Sequence, residues 1–351
     1  MYKVFFFYII LLLLSSCNGN ETSKDHPHTD AGSTAEEMLY GRGIQPDKDS
    51  VLTVRYAIKD SIPYFELTDT TTPPLGYISY GEPVEVFVET PSFYGIQQYI
   101  TRKAKKPGDP IESRQWELVF IKKNTTGTID KISIRDKDLR WIRYQSVNGI
   151  VSAEEEEFRY KGKLDIQIID KQEFVKASRK KTNFFISDST RFIKSAGVLQ
   201  IHCKDSTLYF TDSEEDNDGF TMHKYMGEIP SIGKYVVGVH LWEGYNVYLI
   251  DKISGASTVV FSDIPVLSPD RKKAASIVPD PYEGGGELTI ASIKNNQFSI
   301  DKILSFSRWS PGDDAFFSQD GYFYTNAVPF KVFWNSKGAL NENYQYIRIK
   351  I

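Results

Sequence analysis

The chain has 351 residues and a net charge of −4, with 40% hydrophobic, 25% charged and 14% aromatic residues. These are globular proportions with the aromatic excess of β-rich chains. The acidic balance is spread along the sequence and excludes nucleic acid as the expected partner, because neutralising phosphates needs a basic face.

Lys3 precedes an apolar run over residues 4–14 that includes Phe5, Phe6, Phe7, Ile9, Ile10, Leu11, Leu12 and Leu13. The run is too short for a hydrocarbon core that takes about 20 residues to cross, and its flanks are those of a signal peptide. It ends in Leu14-Ser15-Ser16-Cys17. Small residues before a cysteine at this place resemble the lipobox of bacterial lipoproteins. The resemblance implies cleavage before Cys17 and acylation there, so that the partner of the N-terminus is a membrane. Two or three acyl chains anchor stably. Asn18 stands where Asp would imply retention in the inner membrane, so the same resemblance implies the bacterial cell envelope and its outer membrane, with the leaflet open. The alternative is an ordinary secretory signal with an incidental cysteine. Once Cys17 carries lipid, Cys203 is left without a partner, and stability must rest on an apolar core.

The organisation expected is a signal peptide over 1–16, a lipidated tether over 17–50, a small β domain over 51–145, a connector over 146–196 and a larger β domain over 197–351. The tether is polar and aperiodic. It contains His26 and His28, which read as solvated linker because no third ligand is near. A short helix is expected after Thr34, with Glu36 and Glu37 in its first turn.

From Val51 the pattern is strand-like, with expected strands at 52–55, 84–88, 116–121 and 129–134 and a turn at 124–127. Val54-Arg55, Gly76, Gly81-Glu82 and the alternation over 84–88 resemble the strand and "GxLxxGExVxV" segment of bacterial Src-homology-three-like (SH3-like) domains. The closing "GWV" of that family is degraded to Gly127-Thr128-Ile129, and 103–114 would be an insertion. The resemblance implies a small SH3-like barrel that recognises cell-wall peptide or protein; the alternative is a generic antiparallel β domain. In the connector, 153–158 is an acidic helix start, 164–168 alternates, and 171–182 is the best helical candidate, with a narrow stripe of Phe174, Val175 and Ser178.

From Gly197 onward, strands are expected at 198–201, 207–211, 235–241, 246–251, 257–261, 287–293, 321–324, 331–334 and 344–351, at the spacing of sandwiches and propellers. Leu267-Ser268-Pro269-Asp270 returns about 42 residues later as Trp309-Ser310-Pro311-Gly312-Asp313, within the roughly 40–45-residue period of propeller blades. Each copy precedes a small-apolar strand and resembles the blade turn of bacterial periplasmic β-propellers. The fold class expected is therefore mainly β: a small SH3-like barrel followed by a larger β-propeller-like or β-sandwich domain.

Catalytic signatures are sparse. There is no Gly-x-Ser-x-Gly elbow, and Gly284-Gly285-Gly286 runs into a strand, not into the Lys-Ser/Thr and helix of a phosphate loop. His202, His223 and His240 lack metal-ligand spacing, and Cys203 reads as an apolar strand residue. The acidic segment 212–219 offers Glu214, Asp216 and Asp218 in the spacing of half a calcium loop, but Tyr225 stands where the bidentate Glu should be. No cofactor is expected, with calcium the one candidate and a solvated acidic turn the plainer reading. Trp242 and Tyr245, at a turn, and Tyr282, on a Pro-flanked loop, are candidate ligand-binding aromatics. The function expected is a non-enzymatic, lipid-anchored binding module for an envelope protein, a peptide or a cell-wall glycan. The alternatives are a glycan hydrolase using a carboxylate pair and a structural subunit of an envelope complex.

Overall fold

A computed structural model describes residues 50–103, 112–145, 164–282 and 284–351. Cys17, the tether with its histidines, the helix expected after Thr34 and the 153–158 segment lie outside the described residues. The fold is mainly β and built of antiparallel sheets. Among the described residues no helix is long and apolar enough to cross a membrane.

The first seven strands are β1 (Thr53–Ala57), β2 (Ile62–Tyr64), β3 (Gly76–Ile78), β4 (Pro83–Glu89), β5 (Phe93–Lys103), β6 (Glu112–Lys122) and β7 (Thr126–Gly127). β4 alternates as its sequence demands: Val84 and Val86 are buried while Glu85 faces water. Those valines pack with Ala57, Ile96, Val119 and Ile121. The turn into β4 needs its glycine, because Gly81 sits at φ +80°. The sheet runs β6-β5-β4-β1-β7, with β2 and β3 as a separate hairpin. It is open, which corrects the expected barrel. β7 is two residues long and meets β1 only through Tyr56 and Ala57. The other edge, β6, gains beyond β5 only the single Phe65–Phe120 bridge. Neither edge carries a ladder long enough to close the sheet. The strand expected at 129–134 is also absent. Residues Ile129–Lys131 form a 3-10 turn, and Ile132 and Ile134 are buried without a ladder. Gln345 supplies the missing partners: it accepts from the Ile134 N–H and donates from Nε2 to the Ile134 carbonyl at 3.0 Å.

Five elements follow: β8 (Ile142–Gln145), β9 (Asp165–Ile169), helix α1 (Lys171–Ser178), β10 (Ile186–Ser187) and the hairpin of β11 (Val198–His202) and β12 (Thr207–Thr211). α1 starts where Asp170 accepts the Glu173 N–H at 2.7 Å. Its buried face is Phe174 and Ala177, whereas Val175 is exposed. An i, i+3 pair shares one side of a helix and adjacent residues do not, so the expected stripe is shifted. The helix stops short of 182 because the Thr182 N–H bonds to the Phe317 carbonyl at 2.9 Å.

The rest of the chain forms three meanders. β13 (Thr221–Ile229), β14 (Lys234–Leu241), β15 (Gly244–Asp251) and β16 (Ser257–Phe261) make the first. β17 (Val266–Leu267), β18 (Lys273–Asp280), β19 (Gly285–Lys294) and β20 (Gln297–Phe306) make the second. β21 (Trp309–Phe317), β22 (Phe323–Pro329) and β23 (Gln345–Lys350) make the third. Earlier segments extend all three: β10 pairs with β13, β8 with β20 and β9 with β23. Val236, Val247 and Leu249 of the first meander pack on Leu267, Ala274 and Ala291 of the second. Leu288, Leu304 and Phe306 of the second pack on Trp309, Phe317 and Phe323 of the third.

Two sequence expectations fail here. The first Ser-Pro copy is a turn before β18, where Ser268 Oγ bonds to Asp270 Oδ1 at 2.7 Å. The second lies inside β21, where the register slips between Pro311 and Ala315 and the Asp314 N–H donates to Asn326 Oδ1 at 3.0 Å. A proline in a strand is tolerated at such a bulge, so like sequences serve unlike structures. Residues 331–334 are not a strand: Lys331 and Val332 belong to a 3-10 turn over Phe330–Val332, which Pro329 precedes.

Candidate functional site

A cleft of about 250 Å3 opens between the β18–β19 hairpin tip, the bulge of β21 and the segment that follows β22. Each wall follows from local sequence. At the tip, Pro279 and Pro281 restrict the backbone on either side of Asp280. The Asp280 carboxylate accepts the Tyr282 N–H at 3.3 Å. Tyr282 is therefore presented on a stiffened turn with 84% of its surface exposed. At the base, Gly286 is required by close approach, since a Cβ there would stand 2.4 Å from Pro311 Cδ. That contact seats Pro311, Gly312 and Asp313 along the cleft floor.

The third wall is a folded-back loop. Asn335 accepts the N–H groups of Lys337 and Ala339 through Oδ1, at 2.9 and 3.1 Å. The loop closes with the Asn341 N–H on the Phe333 carbonyl at 2.8 Å. This brings Phe333, Trp334, Leu340, Asn341 and Tyr344 to the cleft, with the Phe333 and Trp334 rings edge to face at 4.9 Å. Asn341 is the polar exception in an aromatic wall. It is 3% exposed. Its Oδ1 accepts the Asn343 N–H at 3.0 Å, while its Nδ2 has no hydrogen-bond partner. A buried amide donor without a partner costs about 1–3 kcal/mol, so its retention beside a cavity calls for an explanation.

Of the three aromatics singled out in the sequence, the structure puts only Tyr282 on this cleft. Trp242 is exposed at the tip between β14 and β15, edge-on to Phe220 at 6.5 Å. Tyr245 is a packing residue: it lies over Gly238, where a Cβ would meet its hydroxyl at 2.2 Å, and its ring rests on His240 at 4.8 Å. Glu214, Asp216 and Asp218 lie on an exposed turn between β12 and β13. Among the described residues no group of three or more His, Cys, Asp or Glu is placed to hold a metal. Cys203 is half-buried against the core that includes Leu199 and Ile201. Burial pushes its thiol up, the opposite of what a nucleophilic thiolate needs.

Sequence reasoning missed Trp334, Tyr344 and Asn341. The first two were legible only as strand aromatics, and an amide's lack of a partner has no sequence signature. No protein-family model, curated protein or solved structure matches this chain.

Proposed function

We propose that the chain is a lipid-anchored protein of the bacterial cell envelope that acts by binding, and that the cleft beside Tyr282 holds an uncharged stretch of glycan. The observation that carries this reading is the buried, unpartnered Asn341 Nδ2 beside a cleft walled by Tyr282, Phe333, Trp334 and Tyr344. Aromatic faces cover the apolar face of a sugar ring. A sugar hydroxyl accepts from the amide, so one ligand type both gives Asn341 Nδ2 its partner and presents a ring face to the aromatic walls. Prolines on two walls keep the ordering cost of binding low.

Purified peptidoglycan is expected to retain the protein in a pull-down. Tyr282→Ala should weaken retention at least about tenfold, because truncating an exposed aromatic anchor removes its whole contact. The melting temperature should not move. Equal retention of the variant, or none of the wild type, would sink the proposal. The anchor is tested separately. Cys17→Ser is expected to shift the protein from the membrane fraction to the soluble fraction, since a polar tether alone has no membrane affinity; a variant that stays with the membrane rules lipid at Cys17 out as the anchor.

The finer fold belongs to the same proposal. The three meanders, opening at Thr221, Val266 and Trp309, support a propeller-like stack. The paired β1 and β4 around the Gly81-Glu82 turn support an SH3-like first module.

A further inference from the structure

Asn341 brings a one-sided demand to the cleft beside Tyr282. Its Oδ1 is committed to the Asn343 N–H at 3.0 Å. Its Nδ2 carries two hydrogens and has no hydrogen-bond partner among the described residues. The site therefore lacks an acceptor, not a donor. The neighbouring lining is apolar at depth, because Val328 and Phe333 are both buried and both reach the cleft. The rim is open, where Tyr282 and Leu340 are exposed.

The group that reaches Asn341 must meet three conditions. It needs an acceptor oxygen, no hydrogen on that oxygen, and apolar atoms beside it. A sugar hydroxyl meets the first alone: the oxygen that accepts also carries a hydrogen, which then needs an acceptor of its own against an apolar wall. An acetamido group meets all three. Its carbonyl oxygen has two lone pairs and no hydrogen. Its methyl is bonded to the same carbon and enters the cleft with the oxygen. In a trans amide the N–H points away from the C=O, so it faces the open rim. We propose that the cleft selects an N-acetylated sugar, with the acetamido carbonyl on Asn341 Nδ2, its methyl against Val328 and Phe333, and the ring face on Tyr282. This assignment rests on the glycan reading above and names the sugar class within it.

The test is titration calorimetry on the full-length Cys17→Ser chain with chitotetraose and cellotetraose. Both are uncharged β-1,4-linked tetrasaccharides, and they differ only in carrying an acetamido group or a hydroxyl on the second carbon of each ring. Chitotetraose is expected to bind at least about tenfold more tightly, because it alone fills the apolar wall with a methyl and gives the amide a carbonyl. Asn341→Asp keeps an oxygen for the Asn343 N–H and replaces the donor by a second oxygen, so it should abolish that preference. Tyr282→Ala should weaken both sugars alike and leave the preference intact, since its ring meets the face that the two sugars share. The wild-type comparison needs no variant to fold. Chitotetraose binding no more tightly than cellotetraose overturns the acetamido assignment while the glycan reading stands; binding of neither overturns both. A preference that survives in Asn341→Asp also overturns the assignment.

Discussion

Asp251→Ala is expected to destabilise the protein by about 3–5 kcal/mol, because it strands a buried ammonium. The Lys234 side chain is fully buried, and its Nζ donates to Asp251 Oδ2 at 2.9 Å. The other carboxylate oxygen, Oδ1, accepts the N–H groups of Ile253 and Ser254 and the Ser254 hydroxyl, at 3.1, 3.0 and 3.1 Å. One carboxylate therefore closes the turn after β15 and neutralises the start of β14. The Ser254 N–H, then Lys234, hold its carboxyl well below the usual carboxylate range. A depressed carboxyl stabilises the fold fully above its unfolded value, about 4, and that contribution fades as pH falls toward the native value. The gap between wild type and Asp251→Ala in urea denaturation should thus be widest near neutrality and narrow in acid. Lys234→Met should cost far less, because it removes the buried charge together with the need for a partner. A loss under about 1 kcal/mol for Asp251→Ala would refute this account.

Trp309→Ala is expected to cost about 3–5 kcal/mol through the cavity it leaves. Trp309 has no exposed surface and stacks on Phe306 at 4.0 Å between ring centroids. Its carbonyl and that of Phe306 both stand 2.5 Å from where a Cβ on Gly285 would be, and Gly285 sits at φ +87°. The ring and the glycine thus fix how β19 meets the start of β21. Trp309→Phe should behave differently. The indole Nε1 is buried without a partner, so losing it returns about 1–3 kcal/mol that offsets the smaller ring. Thermal unfolding of the two variants separates the ideas: a Phe variant as damaged as the Ala variant would show that Nε1 has a partner after all.

Strands whose side chains alternate cleanly were legible in the sequence. β12 falls at residues 207–211 as expected, and β4 and β23 within a residue or two of expectation. β13 was not legible, because Thr221, His223 and Lys224 obscure the apolar period; the strand exists through its ladder to β14. β20 was missed for a similar reason, with Asp301 and Lys302 in its middle. Residues 331–334 read as strand from composition, yet the chain turns there. For the cleft, Tyr282 was legible because prolines flank an aromatic on a loop. Asn341 was not, because being unpartnered depends on residues brought together only by folding.

β8 and β9 come from before residue 170, yet they complete sheets whose other strands are made much later. A chain that emerges from its N-terminus holds both strands ready with nothing to pair with until β20 and β23 arrive. Closing loops of that length is slow, since the entropy is lost before the ladder forms. The order of assembly is therefore set by the strand synthesised last in each sheet. In the interval the nascent chain carries two bare, adhesive edges, which is the period in which an escort would matter most.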